Sequence, residues 1–146
     1  MLCLNKTMDL NDAVNWAVDT HHGVLITLRK DGRPQSSDIA YAVIDGKFCI
    51  SATRSRAKTI NLLRDNRAVL HITSPDTWSY VSFDGSAEIT ETAKVPDDNV
   101  CQELAHVFTA IQKKDHPNWN EFNQAMIEDE RLVIKFVPTT AVGQIN

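Results

Sequence analysis

The segment Ser51-Ala52-Thr53-Arg54-Ser55-Arg56-Ala57-Lys58-Thr59 concentrates positive charge in a chain that is acidic as a whole. Five of the 15 Lys and Arg residues lie between Arg54 and Arg67, and Asp65 is the one acidic residue among them. The net charge of the whole chain is −4. A local excess of cations in such a chain indicates either a site for an anion or a strongly solvated surface.

The same segment predicts a strand that ends near Thr53 and a short helix from about residue 56 to residue 64, with Ser55 as its cap. Arg56 and Lys58 then lie in the first helical turn, where the helix dipole disfavours each cation by roughly 0.3–1 kcal/mol. An anion held by the free N–H groups of that turn and by the two side chains removes this penalty. The segment therefore predicts a phosphate clamp.

A solvated charged face is the alternative for Arg56 and Lys58, because most surface charges bind no ligand. The two residues are two positions apart and cannot share one face of a regular helix. At the entrance of a helix, however, both side chains can lean toward the end of the preceding strand. Hydroxyl groups at Ser51, Thr53 and Ser55 can donate to phosphate oxygens, and they favour the anion site.

A length of 146 residues fits one domain, residues 1–146, and leaves no room for a second core. Hydrophobic residues make up 42% of the chain and charged residues 23%, as in an ordinary globular protein. No apolar run approaches the roughly 18 residues of a membrane span, and the N-terminal residues lack the apolar core of a signal peptide. The acidity argues against nucleic acid binding, which needs a broad basic face.

Three cysteines, Cys3, Cys49 and Cys101, are too widely spaced for a metal-binding pair and odd in number. They predict reduced thiols in a cytoplasmic protein rather than a disulfide framework.

Alternating apolar residues separated by Asp-Gly turns predict a series of antiparallel hairpins. The predicted strands cover residues 24–29, 33–44, 47–53, 68–73, 78–83, 86–90 and 131–137, with turns at Asp31-Gly32, Asp45-Gly46 and Asp84-Gly85. Helices are predicted at residues 9–20, 56–64, 100–113 and 119–128, and the second should bury Ala57, Ile60 and Leu63. Since a closed barrel exposes no strand edge, the pattern predicts a mainly β fold, a small barrel with flanking helices.

Two further segments are candidates for a binding site. Arg33-Pro34-Gln35-Ser36-Ser37 is a polar half-strand that could line a groove for a flat ring, or be an edge strand kept polar against aggregation. Trp78 and Tyr80, with Ser79 between them, are predicted to alternate on one face of a strand. They could contact a planar ligand, form a subunit contact, or pack in the core.

The sequence shows no recognisable catalytic triad, glycine-rich phosphate loop, protein-borne nucleophile or metal site. His71 lies alone in an apolar strand and is predicted to be a hydrogen-bonded core residue. If the protein is an enzyme, a bound cofactor therefore supplies its chemistry.

The segment at residues 55–65 resembles the pyridoxamine 5'-phosphate oxidase-like split-barrel flavoproteins, and more narrowly their branch that uses the deazaflavin coenzyme F420. The resemblance covers about residues 10–143. It rests on Gly23-Val24-Leu25, Asp31-Gly32-Arg33-Pro34-Gln35, Arg56-Ala57-Lys58-Thr59 with Asn61-Leu62, Asp76-Thr77-Trp78-Ser79-Tyr80 with Gly85, Asn118-Trp119 and Gln124-Ala125-Met126.

This resemblance implies a split β-barrel that works as a homodimer, with a cofactor in a groove between the subunits. It implies that Arg56 and Lys58 bind the cofactor phosphate, that residues 33–37 face the ring, and that the partner subunit could supply Trp78 and Tyr80. The implied cofactor-binding residues are Arg33, Gln35, Ser36, Ser37, Ser51, Ala52, Thr53, Arg56, Ala57, Lys58, Thr59, Trp78 and Tyr80. Tyr80 is also a candidate proton donor.

The resemblance implies an F420-dependent oxidoreductase that transfers hydride to a conjugated acceptor such as a quinone, a tetrapyrrole or a nitroaromatic. Ser37-Asp38 departs from the versions typical of that branch, so FMN stays open as the alternative cofactor. A protein that binds a flavin, a deazaflavin or haem without catalysis is a second hypothesis. Oxidation of pyridoxamine phosphate is a third, and it requires a further substrate-phosphate site.

Overall fold

The computed structural model describes residues 6–146, which form eight strands and four α-helices. The strands are β1 (Lys6–Met8), β2 (His22–Leu28), β3 (Pro34–Ala40), β4 (Ala42–Ile44), β5 (Lys47–Thr53), β6 (Arg67–Ser74), β7 (Ser79–Ile89) and β8 (Arg131–Gln144). The helices are α1 (Leu10–Ala17), α2 (Ala57–Arg64), α3 (Asn99–Gln112) and α4 (Trp119–Glu128), and a short 3-10 turn covers Pro75–Thr77.

All strands belong to one antiparallel sheet in the order β3-β2-β6-β7-β8-β5-β4, and β1 pairs with β8 beside this path. The sheet curls so that β3 approaches β5, although the two strands are not hydrogen-bonded neighbours. The predicted mainly β barrel with flanking helices is thus confirmed, in the form of a split barrel. The gap between β3 and β5 is where the split lies.

Two apolar clusters stabilise this sheet. The first fills the barrel, and its largest fully buried side chains include Leu25, Tyr41, Phe48, Phe83 and Phe136. The second lies between the opposite face of β5 and β8 and the helices α3 and α4, and it includes Cys49, Cys101, Leu104, Phe122 and Val133. Strand β5 is therefore buried on both faces, and this fixes the strand that leads into α2.

The predicted strand at residues 33–44 is two strands, because Tyr41 interrupts it. The Tyr41 side chain is fully buried, and its hydroxyl donates a hydrogen bond to the Ala17 carbonyl at 2.7 Å. As a result β3 pairs with β2, while β4 turns away to pair with β5.

The predicted hairpin at Asp84-Gly85 is wrong, because β7 continues through these residues as one strand paired with β6 and β8. Its pairing with β8 shifts register between Asp84 and Gly85, which is the mark of a β-bulge. A Cβ atom at Gly85 would overlap the carbonyl oxygen of Val137. The glycine is thus required by close backbone approach and not by a turn.

The predicted buried stripe of α2 is also wrong. Ile60 and Leu63 are 46% and 49% exposed, whereas Thr59, Asn61 and Leu62 are buried. The face of the helix toward the sheet carries hydrogen-bonding side chains, and the apolar side chains of Ile60 and Leu63 face the solvent. Ser55 does not cap the helix either, because the N-cap position is Arg56.

Other predicted elements agree more closely. Helix α4 has the predicted bounds, and Asn118 caps it by accepting hydrogen bonds from the N–H groups of Asn120 and Glu121. Asp98 caps α3 and Asp9 caps α1 in the same way. Strand β8 extends to Gln144 because it also pairs with β7 and β1, and β1 itself was not predicted.

Cys49 and Cys101 are buried free thiols, and Cys3 lies outside the described residues. His71 is only partly buried, on the outer face of β6, so its predicted place in the core is wrong. None of the helices at residues 6–146 is long and apolar enough to span a bilayer. Within the same residues, no three His, Cys, Asp or Glu side chains gather as a metal site would require.

Candidate functional site

The N-terminus of α2 lies where β5 ends, and it has no side-chain cap. Arg56 occupies the N-cap position with extended backbone angles, and its side chain makes no capping hydrogen bond. The first bond that closes the helix runs from the Ile60 N–H to the Arg56 carbonyl. The N–H groups before Ile60 therefore have no partner within the helix, which is the arrangement that binds anions.

A cavity of about 410 Å³ opens at this helix end, and we call it the clamp cavity. Its lining residues come from β3, β5, α2 and β8: Ser37, Ala52, Thr53, Arg56, Ala57, Lys58 and Arg131. Six of these seven are residues that the sequence analysis placed at a cofactor site. Arg131 is the one that it missed. The fold thus brings residues of the polar edge strand and of the basic segment into one space.

The clamp cavity is strongly positive. Burial lowers the pKa of the Lys58 ammonium, and the positive charges of Arg56 and Arg131 lower it further. No carboxylate is among the groups that shift this pKa, and among the three cations Arg131 forms an ion pair with Asp129 at 3.6 Å. Such a cluster stores unfavourable energy that a bound anion would relieve.

Arg131 adds a donor that the protein does not use. Its Nε atom is shielded from solvent and has no hydrogen-bond partner among the described residues. The nearest carboxylate oxygen, on Asp129, is 3.6 Å away, which is an ion-pair distance but too long for a good hydrogen bond. The rest of the Arg131 side chain is partly exposed and lines the clamp cavity, so its positive charge is available to an anion there.

A polar network holds α2 in this position. Asn61, which is buried, donates hydrogen bonds to the Thr27 hydroxyl at 3.1 Å and to the Gln35 side-chain carbonyl at 2.9 Å. Its own carbonyl accepts from Arg64 at 2.7 Å. The Thr59 hydroxyl donates to the Thr53 carbonyl at 3.0 Å. These bonds join the helix to β2, β3 and β5, and they set the orientation of its free end.

The basic segment therefore divides into two parts. Arg56 and Lys58 line the clamp cavity, whereas Arg64 binds the Leu28 carbonyl and Asn61 at the other end of α2. Arg67 makes a bidentate ion pair with Asp65, and hydrogen bonds from Arg67 lower the pKa of that carboxyl to about 2. Arg64 and Arg67 thus have structural partners.

Seven of the thirteen predicted site residues lie outside the lining of the clamp cavity, and five of these belong to β3, β5, α2 or the β2–β3 turn. Ser51 points to the opposite side of β5 from Ala52, and Thr59 and Gln35 take part in the polar network. Arg33 and Ser36 are exposed near the β2–β3 turn and on the outer face of β3. Whether they approach the ring of a cofactor stays a prediction.

Trp78 and Tyr80 do not alternate on one strand as predicted. Trp78 precedes β7 in a left-handed conformation with φ of 56°, and it is 85% exposed. Tyr80 lies in β7, where its ring stacks on His71 with centroids 5.7 Å apart. The two aromatic groups therefore have different surroundings, and neither lines the clamp cavity.

The loop that carries Trp78 is fixed by Asn146. The Asn146 amide donates to the carbonyls of Thr77 and Trp78 at 3.0 and 3.1 Å, and its backbone N–H donates to the Ser79 hydroxyl at 2.9 Å. An indole held so exposed is available to a partner or a ligand.

Comparison with known proteins agrees with this architecture. The family model for pyridoxamine 5'-phosphate oxidase matches residues 13–142 of the chain. A conserved hypothetical protein of Mycobacterium tuberculosis is similar in structure, with a TM-score of 0.72 and 23% identity over 93% of this chain and 84% of that one.

Two further solved structures are similar. A protein described as an F420 reductase has a TM-score of 0.64 and 21% identity, covering 87% of this chain and 94% of its own. A heme-binding protein of Mycobacterium smegmatis has a TM-score of 0.66 and 20% identity, covering 97% of this chain and 55% of its own. At such identities the likeness of these structures is one of fold. The family match, which spans most of the chain, shows more: this protein belongs to the pyridoxamine 5'-phosphate oxidase family.

Proposed function

We propose that this protein is an oxidoreductase that binds a phosphate-bearing flavin-type cofactor at the clamp cavity and reduces a flat conjugated acceptor. The cofactor is coenzyme F420, with FMN as the alternative, and the acceptor is of the quinone, tetrapyrrole or nitroaromatic type. One observation carries the proposal: Arg56, Lys58 and Arg131 converge on a single cavity at the uncapped N-terminus of α2. The family match gives the class of cofactor.

The residues present fit a phosphate group. The free N–H groups of the first turn of α2 supply donors, and Arg56, Lys58 and Arg131 bring three positive charges to the lining of the cavity. Arg side chains bind phosphate oxygens as a planar fork, and Lys adds a point charge. Arg56, Lys58 and Arg131 would therefore hold the phosphate, with the Thr53 segment beneath it.

A bound flavin or deazaflavin supplies the hydride, and the chain supplies the binding site. None of the seven residues that line the clamp cavity is a carboxylate, a histidine or a cysteine. Their role would be to hold the phosphate of the cofactor, and the polar residues of β3 would be the candidates to contact its ring. Tyr80, which stacks on His71, is the candidate proton donor to the reduced acceptor.

We also propose that the protein works as a homodimer. The outer face of the sheet carries a row of partly buried apolar and aromatic side chains, among them Val24, Ile26, Val69 and Val142. A second copy placed against this face would bury them, and the exposed Trp78 is the candidate residue to contact the partner. In this arrangement each groove is shared between two subunits.

A non-catalytic carrier of the same cofactor is the second candidate. It is favoured because the residues that line the clamp cavity include no carboxylate, histidine or cysteine. Turnover separates the two functions: a carrier would hold reduced cofactor that no quinone, tetrapyrrole or nitroaromatic oxidises faster than it does in free solution.

The test is titration of the purified protein with coenzyme F420 and with FMN, followed by absorbance and fluorescence. We expect binding of one of them below about ten micromolar, and weaker binding in Arg56→Ala. Arg67→Ala is the matched control, because Arg67 pairs with Asp65 at the far end of the basic segment. Failure of both cofactors to bind at tens of micromolar would overturn the proposal.

A further inference from the structure

We propose that Arg131 makes the clamp cavity selective for two negative charges over one. The inference rests on the proposed function only in placing an anionic group in this cavity. Two negative charges can come from the terminal phosphate monoester of FMN, or from the phosphodiester and a nearby carboxylate of a polyglutamylated deazaflavin tail. The shared chemistry is a pair of negative charges within one small space.

The backbone fixes Arg131 at the entrance of α2. Arg131 is the first residue of β8, and it pairs directly with Thr53, the last residue of β5. Its carbonyl accepts from the Ala93 N–H at 2.8 Å, and the preceding carbonyl, of Glu130, accepts from the Arg54 N–H at 3.0 Å. The third cation of the cavity is therefore held opposite the strand end that leads into the clamp.

The side chain of Arg131 is only partly engaged by the protein. It is 32% exposed, and its Nε has no hydrogen-bond partner within residues 6–146. The Asp129 carboxylate lies 3.6 Å from it, but the Asp129 side chain is 56% exposed. Water therefore competes with Arg131 for this carboxylate and weakens the ion pair. Arg131 lines the clamp cavity with a partly exposed side chain, so most of its positive charge is available to an anion there.

The charges around the cavity set its preference. Arg56 at the N-cap and Lys58 in the first turn of α2 line it, Arg131 lines it from β8, and Asp129, in the α4–β8 turn, pairs with Arg131 at 3.6 Å. The elements β3 and β5 contribute Ser37, Ala52 and Thr53, which carry no charge. A singly charged phosphate leaves this set with an excess of positive charge, and the helix dipole adds to that excess. A second negative charge balances it.

The test uses phenyl phosphate as a doubly charged probe and methyl phenyl phosphate as a singly charged probe of similar size. Calorimetric titration at pH 7.5 should show the wild-type protein binding phenyl phosphate at least about tenfold more tightly, the worth of one charged hydrogen bond. Arg131→Gln should lose most of this preference, and Arg131→Lys should retain it. If the ratio of the two affinities is the same in the wild type and in Arg131→Gln, the inference is overturned.

A pH profile separates this role from a structural one. The second proton of a phosphate monoester is lost near pH 6, so the affinity of the wild type for phenyl phosphate should rise from pH 5 to pH 7.5. The rise should be much smaller in Arg131→Gln. If Arg131→Gln does not fold, Asp129→Asn still tests the inference, because loss of that carboxylate should strengthen the preference. A preference that stays unchanged or falls in Asp129→Asn contradicts it.

The two proposals fail separately. Titration of the same wild-type preparation with FMN and with coenzyme F420 tests the proposed function. If neither cofactor binds, the relative affinities for phenyl phosphate and methyl phenyl phosphate still test the role of Arg131. Binding of FMN with a pH-dependent affinity identifies the monoester as the source of the two charges. Binding of F420 with an affinity that is flat over this pH range, but reduced in Arg131→Gln, identifies the phosphodiester and carboxylate.

Discussion

Replacement of Lys58 by methionine should weaken cofactor binding without destabilising the protein. Methionine keeps most of the hydrocarbon stem that Lys58 packs into the cavity and removes the ammonium group. A hydrogen bond to a charged group contributes roughly 1.5–3 kcal/mol, which corresponds to roughly a 10- to 150-fold rise in Kd. The assay is the same spectroscopic titration, with Arg67→Ala as control.

The stability of the cofactor-free protein tests the role of Lys58 independently of cofactor binding. Burial, Arg56 and Arg131 all lower the pKa of Lys58, so the charged form of Lys58 is disfavoured in the folded state. Lys58→Met should therefore leave the free energy of unfolding unchanged or raise it, as measured by urea denaturation at pH 7. A structural lysine would give the opposite sign.

The same shift predicts how stability depends on pH. Between the lowered pKa of Lys58 and its ordinary value of 10.5, the unfolded chain binds more protons than the folded one. The free energy of unfolding of the wild type should therefore rise with pH in that window, relative to Lys58→Met. If Lys58→Met binds the cofactor as tightly as the wild type, or loses stability together with affinity, Lys58 does not bind the cofactor phosphate.

Three further changes test the framework of the site. Asn61→Ala should lower the free energy of unfolding by roughly 2–3 kcal/mol, since it leaves the Thr27 and Gln35 groups unpaired; a thermal melt within a degree of the wild type would contradict this. Gly85→Ala should cost more than about 2 kcal/mol, because its Cβ would overlap the Val137 carbonyl, and equal urea midpoints would refute it. Partial burial raises the pKa of Asp98, but hydrogen bonds from backbone N–H groups outweigh it and bring the pKa to about 2. Asp98→Asn should therefore destabilise the protein at pH 6, and the difference should shrink as the pH falls from about 4 toward 2; a constant difference would contradict it.

The sequence predicts much of the clamp because its key residues are neighbours in the chain. Arg56, Ala57 and Lys58 are consecutive, and the turn from strand to helix is a local event. The bounds predicted for helix α4 are confirmed, because its start is also set locally, by the Asn118 cap that follows Pro117.

Arg131 was missed because its place depends on pairing between distant segments. It reaches the cavity only because β8 pairs with β5 in a register that sets Arg131 opposite Thr53. Local periodicity carries no information about that register. The sequence offered one signal for Arg131. It is a basic residue at the start of a strand, directly after three acidic residues at positions 128–130.

Two errors share a physical cause. In α2 the apolar period at Ile60 and Leu63 predicted the buried face, but hydrogen bonds from Thr59 and Asn61 determine it instead. At Gly85 the Asp-Gly pair predicted a turn, whereas close contact with β8 requires the glycine. In both places a tertiary contact overrides a local pattern.

The central claim is that the basic end of α2 binds the phosphate of a flavin-type cofactor. The most direct measurement is the Kd of FMN and of coenzyme F420 for the purified protein, with and without inorganic phosphate as a competitor. We expect one cofactor to bind at micromolar concentration and phosphate to raise its Kd, while the same concentration of chloride has a smaller effect. Binding that phosphate does not weaken, or no binding of either cofactor at tens of micromolar, would contradict it.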